Sequence, residues 1–183
     1  MKTLGAIIAG GKSTRFGSDK GSALLHGKAL IDHVADGLRA QVALLVIAGR
    51  DWPTLPRVDD WPSPDLGPLG GLCGALRFAA ANRFDAVISA GCDVLPVWEA
   101  DLEAEADEGC YLMGHYLFGL WPVSFATQLS DHLSRQTDYS IRGWIAVSGA
   151  RPIPATQPYF NLNTRAEFTA YEQRAAIRRA PES

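Results

Sequence analysis

The chain has 183 residues, of which 47% are hydrophobic and 20% charged, and its formal net charge is -3. This length and composition indicate one globular domain over residues 1–183 and exclude disordered, collagen-like and coiled-coil proteins. The three cysteines lack the spacing of a metal site or a disulfide framework, and no apolar run reaches the ~18 residues of a membrane span. We therefore expect a soluble cytoplasmic protein that does not act at a membrane.

Basic residues are concentrated near the start of the chain. The first 50 residues hold seven lysines and arginines but three aspartates, while the remainder holds 10 basic and 17 acidic residues. Nucleic-acid binding usually relies on a broad basic surface in a basic domain. A local basic patch in an acidic chain suits a small polyanion better, so we expect no nucleic-acid partner.

The first half of the chain alternates strand and helix patterns. Apolar runs at 3–9, 42–48 and 84–90 are typical of strands buried on both sides of a parallel sheet, and 55–58 is predicted as a short strand. A helix is predicted at 69–81, and another has an apolar face made of Leu30, Ile31, Val34, Ala35 and Leu38. This alternation predicts an α/β fold, a Rossmann-like three-layer sandwich with a mostly parallel sheet.

The second half is less regular. Helices are predicted at 97–106, 123–135 and 138–147, and strands within 111–121 and at 159–163. A last helix is predicted from Thr164, because Glu167 three residues later completes a capping box.

The loop after the first predicted strand has the composition of a phosphate-binding loop. Gly10 and Gly11 leave backbone N–H groups free to approach a phosphate, and Lys12, Arg15 and Lys20 add three cations. In an open α/β sheet, ligands bind at the carboxyl ends of strands, where this loop would lie. The spacing fits neither the Walker A nor the dinucleotide-binding pattern. The alternative is a surface turn with solvated charges.

Two aspartates follow predicted strands. Asp93 comes just after the 84–90 strand and would face the same sheet edge as the glycine loop, where a carboxylate is a natural Mg²⁺ ligand beside substrate phosphates. The alternative is an aspartate that caps the next helix. Asp60 precedes Gly67-Pro-Leu-Gly-Gly71, and by itself this segment is typical of an irregular loop held by prolines.

Taken together, these segments resemble a known family. Ile8-Ala-Gly-Gly-Lys-Ser-Thr-Arg-Phe-Gly-Ser-Asp-Lys-Gly21 is similar to the Leu-Ala-Gly-Gly-x-Ser-x-Arg-Met/Phe-Gly-x-Asp-Lys signature of molybdenum cofactor guanylyltransferases. Gly27-Lys-Ala-Leu30, Gly67-Pro-Leu-Gly-Gly71, Cys92-Asp93 and Phe160-Asn-Leu-Asn-Thr164 then follow in the family's order. The resemblance covers nearly the whole chain and implies the glycosyltransferase-A-like fold of nucleotidyltransferases.

The resemblance implies an activity and its reactants. The reaction is transfer of GMP from GTP to the terminal phosphate of molybdopterin, with Mg²⁺ as cofactor and pyrophosphate as second product. GTP and molybdopterin are the implied substrates, and proteins of molybdoenzyme maturation are the implied partners. Two alternatives remain: a nucleotidyltransferase of this fold that uses CTP or a sugar phosphate, and a non-catalytic GTP-binding module.

The resemblance also implies roles for residues of this chain. The nucleotide site comprises Ile8, Ala9, Gly10, Gly11, Lys20, Asp60 and Asp93. Lys20, Arg15 and Asp93 are the implied catalytic residues, and Asp93 is also the implied metal ligand. Asn161 and Asn163 are the implied acceptor-binding residues. The chain departs from the family at Ala48-Gly49, where an asparagine is usual, so that side-chain contact is absent.

Overall fold

The computed structural model describes residues 1–10, 20–97, 108–135, 138–162, 164 and 166–172. The strands are β1 (Thr3–Ile8), β2 (Leu24–Leu25), β3 (Lys28–Ala29), β4 (Leu44–Ala48), β5 (Arg57–Val58), β6 (Ala86–Gly91), β7 (Val94–Leu95), β8 (Cys110–Leu112), β9 (His115–Pro122), β10 (Arg151–Ile153) and β11 (Phe160–Asn161). The helices are α1 (Leu30–Arg39), α2 (Gly67–Ala81), α3 (Phe125–Arg135) and α4 (Ile141–Ser148), and residues 166–172 are also helical.

Seven strands form the central sheet in the order β10-β8-β9-β6-β1-β4-β5. β1 pairs in parallel with β4 and β6, and β4 pairs in parallel with β5, whereas β9 runs antiparallel to β6 and β8. The predicted mostly parallel sheet is therefore confirmed. Its register places Ile8 beside both Ala48 and Gly91, and Ala48 beside Val58, so four parallel strands end along one line.

Helices cover both faces of the sheet, which confirms the predicted three layers. On one face, Ile7 belongs to a core with α1, whose predicted apolar stripe is fully buried. On the other face, Leu4, Ala6 and Ile8 belong to a core with α2, α3 and α4. The alternation of β1 side chains between these two cores explains why the strand is apolar throughout.

The sequence patterns predicted the two-residue strands β5 and β11 but not four other short strands. β2, β3, β7 and β10 have two or three residues each, too few to show a period, and they form by pairing with other parts of the chain. The predicted 97–106 helix extends into residues outside the described ranges. Helix α3 begins at Phe125 rather than 123, because the Val123 amide still donates to the Asp85 carbonyl oxygen at 3.0 Å.

The starts of two later helices are fixed by side-chain caps. Ser140 Oγ accepts a hydrogen bond from the Gly143 amide at 3.0 Å, so α4 begins at Ile141. The predicted capping box is confirmed, since Thr164 Oγ1 accepts from the Glu167 amide and Glu167 Oε2 accepts from the Thr164 amide. Within the described ranges, no helix has both the length and the apolar character needed to cross a membrane.

Candidate active site

Charged residues emerge together at the carboxyl edge of the parallel strands. β1, β4, β5 and β6 end at aligned residues, and the residues two positions further along the chain are Gly10, Arg50, Asp60 and Asp93. Open α/β sheets bind ligands at this edge. The topology therefore brings two carboxylates, one guanidinium and Gly10 to one edge of the sheet.

Lys20 and Asp93, which are 73 residues apart in sequence, form an ion pair at this edge. Lys20 Nζ lies 2.8 Å from Asp93 Oδ2, and Lys20 is only 7% exposed. A buried ammonium group is tolerated when a carboxylate compensates its lost hydration. Gly91 makes room for that carboxylate, because a Cβ atom there would lie 2.7 Å from Asp93 Oδ1.

Asp60 lies against the first turns of α2. A Cβ atom on Gly70 would lie 3.3 Å from Asp60 Oδ2, and one on Gly71 would lie 3.6 Å from Asp60 Oδ1. One turn later, the space beside Gly74 is filled by the Asp59 carbonyl oxygen. These three glycines thus let the backbone at 59–60 pack directly on the helix, which places the Asp60 carboxylate beside it.

The Asp60 carboxylate is only partly satisfied within the protein. Its Oδ1 atom is buried and has no hydrogen-bond partner among the residues that the structure describes. Burial raises the pKa of Asp60, and the nearby carboxylate of Asp65 raises it further. Because an unpaired buried oxygen is unfavourable, this atom is suited to accept a hydrogen bond from a ligand.

The segments that follow β1 and β4 approach each other closely at Gly10 and Gly49. Gly49 has a φ of +86°, and a Cβ atom there would lie 2.5 Å from the Gly10 nitrogen. A side chain such as the family's usual asparagine therefore does not fit this conformation of Gly49. The Ile8 side chain is buried against α2, while Ala9 and Gly10 are partly exposed at the edge.

A pocket of about 180 Å³ adjoins Asp93 on the side of the antiparallel strands. Asn161 lines it with Asp93, and its other lining residues are Gly91, Val94, Gly114, His115, Tyr116, Leu117, Phe118 and Ile141. Pairing of β11 with β7, together with a 2.8 Å hydrogen bond from the Leu162 amide to the Asp93 carbonyl oxygen, fixes Asn161 beside Asp93.

The structure thus gathers most of the residues that the sequence singled out. Gly11, Arg15 and Asn163 lie outside the described residues. Arg50 was missed by the sequence analysis, although its place just after a predicted strand, like that of Asp93, was a usable signal.

Asp93 is suited to hold Mg²⁺. In the described ranges, no group of three or more histidine, cysteine, aspartate or glutamate side chains could hold a metal ion by itself. Mg²⁺ in nucleotide-dependent enzymes is usually bound by one or two carboxylates together with substrate phosphates. A single carboxylate at the ligand-binding edge fits that mode of coordination.

Comparisons with known proteins agree with this architecture. Residues 5–150 match the family model of the MobA-like NTP transferase domain. The chain is 30% identical to a molybdenum cofactor guanylyltransferase of Acidiphilium cryptum, with 91% of this chain and 92% of that protein covered. It is 33% identical to a protein of the same name from Yersinia pestis, with 93% and 95% covered.

A solved structure supports the same fold. Molybdopterin-guanine dinucleotide biosynthesis protein A from Archaeoglobus fulgidus is 18% identical and superposes with a TM-score of 0.71, covering 95% of this chain and 99% of that one. The predicted glycosyltransferase-A-like fold is confirmed. The chain therefore belongs to the MobA-like NTP transferase family and is a nucleotidyltransferase.

Proposed function

We propose that this nucleotidyltransferase transfers GMP from GTP to the terminal phosphate of molybdopterin, forming molybdopterin guanine dinucleotide and pyrophosphate. The observation that carries the proposal is the Lys20–Asp93 pair. Asp93 follows β6, the neighbour of the strand that leads to Gly10, and it also lines the pocket containing Asn161. This position suits a reaction between a nucleotide on one side and a phosphorylated acceptor on the other. The names of the relatives at 30% and 33% identity support the same substrates.

The environment of Asp60 supports guanine as the base. An ionised carboxylate only accepts hydrogen bonds, and its two oxygens can meet two donors. The Watson–Crick edge of guanine carries two adjacent donors, N1–H and the exocyclic amine, whereas adenine and cytosine place an acceptor next to their amine. The buried Oδ1 atom of Asp60, which lacks a partner within the described part of the chain, is the acceptor that guanine would satisfy.

The reaction needs no general base. A terminal phosphate has its second pKa near 6, so it is largely a dianion at neutral pH. One of its oxygens attacks the α-phosphorus of GTP, and the bond from that phosphorus to the α,β-bridging oxygen breaks. Pyrophosphate leaves with the bonding electron pair. Catalysis then consists of holding two anions in line and offsetting their charge.

The residues of the site divide this work. We assign to the Lys20 ammonium the stabilisation of the negative charge that develops on the α-phosphate and on the leaving pyrophosphate. Asp93 would hold Mg²⁺, which when bound neutralises phosphate charge. Binding of the triphosphate is assigned to the backbone groups at 8–11 and to the Arg15 guanidinium.

On the acceptor side, Asn161 and Asn163 are assigned to molybdopterin. Asn161 lines the pocket that also contains Asp93, so a molecule bound there would present its phosphate near the nucleotide.

Pyrophosphate release tests the proposal. With Mg²⁺ and molybdopterin, GTP is expected to release pyrophosphate in proportion to acceptor consumed, and Asp93→Asn is expected to abolish that release. Asp131→Asn is the matched control, because Asp131 pairs loosely with Arg135 on the exposed face of α3. Release with CTP instead would move the activity to a cytidylyltransferase, and GTP binding without release would indicate a binding module.

A further inference from the structure

We propose that Trp61 is a positioning residue for recognition of the nucleotide base. It holds the backbone on which Asp60 lies, so that Asp60 discriminates GTP from CTP fully only while Trp61 keeps its contacts with α2 and α3. The inference rests on the proposed function in one respect, namely that Asp60 accepts hydrogen bonds from guanine.

Asp60 lies on a connecting segment. Residues 59–66, all of which the structure describes, join the end of β5 at Val58 to the start of α2 at Gly67 and belong to neither a strand nor a helix. A carboxylate that must meet two donors of a base needs a fixed direction, because hydrogen bonds weaken steeply as their angles become bent. Contacts of this segment with the rest of the protein have to supply that direction.

Trp61 attaches the segment to two helices through three contacts. Its amide donates a hydrogen bond to the Gly70 carbonyl oxygen, in the first turn of α2, at 3.1 Å. Its indole ring lies against the Arg77 guanidinium, whose carbon is 3.7 Å from the ring centre. Its Nε1 atom donates to Ser130 Oγ on α3 at 3.2 Å. These contacts fix both the backbone and the ring of Trp61, although the residue is 38% exposed.

The two helices that receive Trp61 are themselves fixed to each other. Leu129 and Leu133 of α3 are buried in the same core as Leu72 of α2. Ser130 is therefore on a helix whose movement relative to α2 would disrupt close packing in that core. A hydrogen bond to such a helix restrains Trp61 more than a bond to a loop would.

The Trp61 ring lies away from the Asp60 carboxylate. A Cβ atom on Gly70 would lie 3.3 Å from Asp60 Oδ2, whereas the ring contacts Arg77 further along α2. From Gly70 to Arg77 is about two helical turns, or roughly 10 Å along the helix axis. We therefore expect the indole to act on the base through Asp60 and not by direct contact.

Asp60 is thus held from both sides. On one side the Asp59 carbonyl oxygen fills the space beside Gly74, and on the other side Trp61 is attached to α2 and α3. A carboxylate held in this way loses little conformational freedom when guanine binds, whereas a loosened one would have to be ordered by the ligand. Cytosine places an acceptor next to its amine, so the constraint favours GTP over CTP.

Equilibrium binding of GTP and CTP, with Mg²⁺ and without acceptor, tests this assignment. We expect Trp61→Ala to lower the ratio of GTP affinity to CTP affinity by about 5- to 10-fold, because GTP would then have to order Asp60 as it binds. Trp61→Phe and Ser130→Ala remove the same hydrogen bond from its two ends, so each should lower the ratio by about two- to threefold. The variant with both of these changes should show no further loss.

A double-mutant cycle shows whether Trp61 acts through Asp60. Adding Trp61→Ala to Asp60→Asn should leave the ratio of the two affinities as it is in Asp60→Asn alone, because the paired acceptors are already lost. The matched control is Ser134→Ala, which removes an exposed hydroxyl from α3 about one turn after Ser130. It is expected to leave both affinities unchanged.

An unchanged ratio in Trp61→Ala, with both affinities lowered equally or not at all, would overturn the proposal and assign Trp61 a structural role only. A further fall in the ratio when Trp61→Ala is added to Asp60→Asn would overturn it as well. Thermal melting identifies loss of folding, and if Trp61→Ala does not fold, the ratios in Trp61→Phe and Ser130→Ala decide the question.

Failure of the proposed function gives a different result. A wild type that binds CTP as tightly as GTP would overturn guanine recognition itself, and the Trp61 assignment with it. A wild type that prefers GTP, together with Trp61 variants that keep the same preference, would overturn the Trp61 assignment alone.

Discussion

The two sides of Asp93 are built differently. On the side that we propose for the nucleotide, four parallel strands end in register, and the backbone is packed closely through Gly49, Gly70 and Gly74. On the side that we propose for the acceptor, the antiparallel strand β9, the two-residue strands β7 and β11 and several aromatic rings form the pocket.

Under the proposed function, this difference indicates how each substrate would be recognised. Close glycine packing leaves little room for substitution, which suits a ligand whose phosphates and base are bound by fixed backbone and carboxylate groups. A pocket of side chains on short strands can change shape with few substitutions. We therefore expect the nucleotide and acceptor sites to respond separately to mutation, with Asp93 and Lys20 common to both.

The largest effect is expected from Lys20→Ala, which should lower the rate of transfer by about 10²- to 10³-fold because it removes a cation from the reacting phosphates. Lys28→Ala is the control, since Lys28 forms its own ion pair with Asp36 on the surface. If Lys20→Ala kept a rate within twofold of the wild type, the proposed role of the Lys20–Asp93 pair in the transfer would be contradicted. The measurement is the rate of pyrophosphate release at saturating GTP and molybdopterin.

Asp60→Asn is expected to weaken GTP binding by about 100-fold, because the amide replaces one acceptor with a donor facing the base. Asp59→Asn is the matched control, as the neighbouring carboxylate is exposed and pairs with Arg57. Equilibrium binding of GTP and CTP to both variants measures the change. Equal losses of affinity for the two nucleotides would show that Asp60 does not recognise the base.

Gly74→Ala tests the glycine packing of the nucleotide side. The new methyl group would overlap the Asp59 carbonyl oxygen, so we expect destabilisation of about 1–3 kcal/mol together with weaker GTP binding. Ala80→Ser, on the exposed part of the same helix, should change stability by less than about 0.5 kcal/mol. Denaturant unfolding measures both values, and a neutral Gly74→Ala would refute the packing argument.

Asn161→Ala should affect only the binding of the acceptor. We expect KM for molybdopterin to rise about tenfold, since one polar contact to the acceptor is lost, while GTP affinity stays the same. Asn82→Ala provides the control, because Asn82 caps the far end of α2. A parallel loss of GTP affinity in Asn161→Ala would show that the two sides are not separate.

The smallest effect concerns pH. Because burial raises the pKa of Asp60 above its ordinary 3.8, folding disfavours the charged form, and this cost is present above the raised pKa and disappears as the pH falls below 3.8. Asp60→Asn should therefore stabilise the free protein slightly at neutral pH and have no such advantage in acid. Melting temperatures of both proteins across the acid range check this expectation.

The sequence predicted the features that depend on local pattern. The long buried strands appear as continuous apolar runs and the α1 stripe has a clear helical period, while the capping box needs only Thr164 and Glu167, three positions apart. The short strands β7 and β10 could not be predicted, because pairing with distant parts of the chain alone creates them.

The site was predictable to a similar degree. The glycine loop and Asp93 follow from the rule for strand ends, whereas Asp60 depended on a family resemblance, because its proline-rich segment reads as an ordinary loop. Its burial arises only when the glycines of α2 receive the 59–60 backbone. Arg50 lacks a local motif, and the register of β4 with β1 is what places it at the site.

The central claim is that Asp60 selects guanine and that the Lys20–Asp93 pair supports the transfer of GMP. The most direct measurement is a competition in which GTP and CTP, each labelled at the α-phosphate, are incubated at equal concentration with the protein, Mg²⁺ and molybdopterin. The account predicts that label from GTP enters the acceptor and that label from CTP does not. Incorporation of cytidylate, or GTP binding with no label transferred, would contradict it.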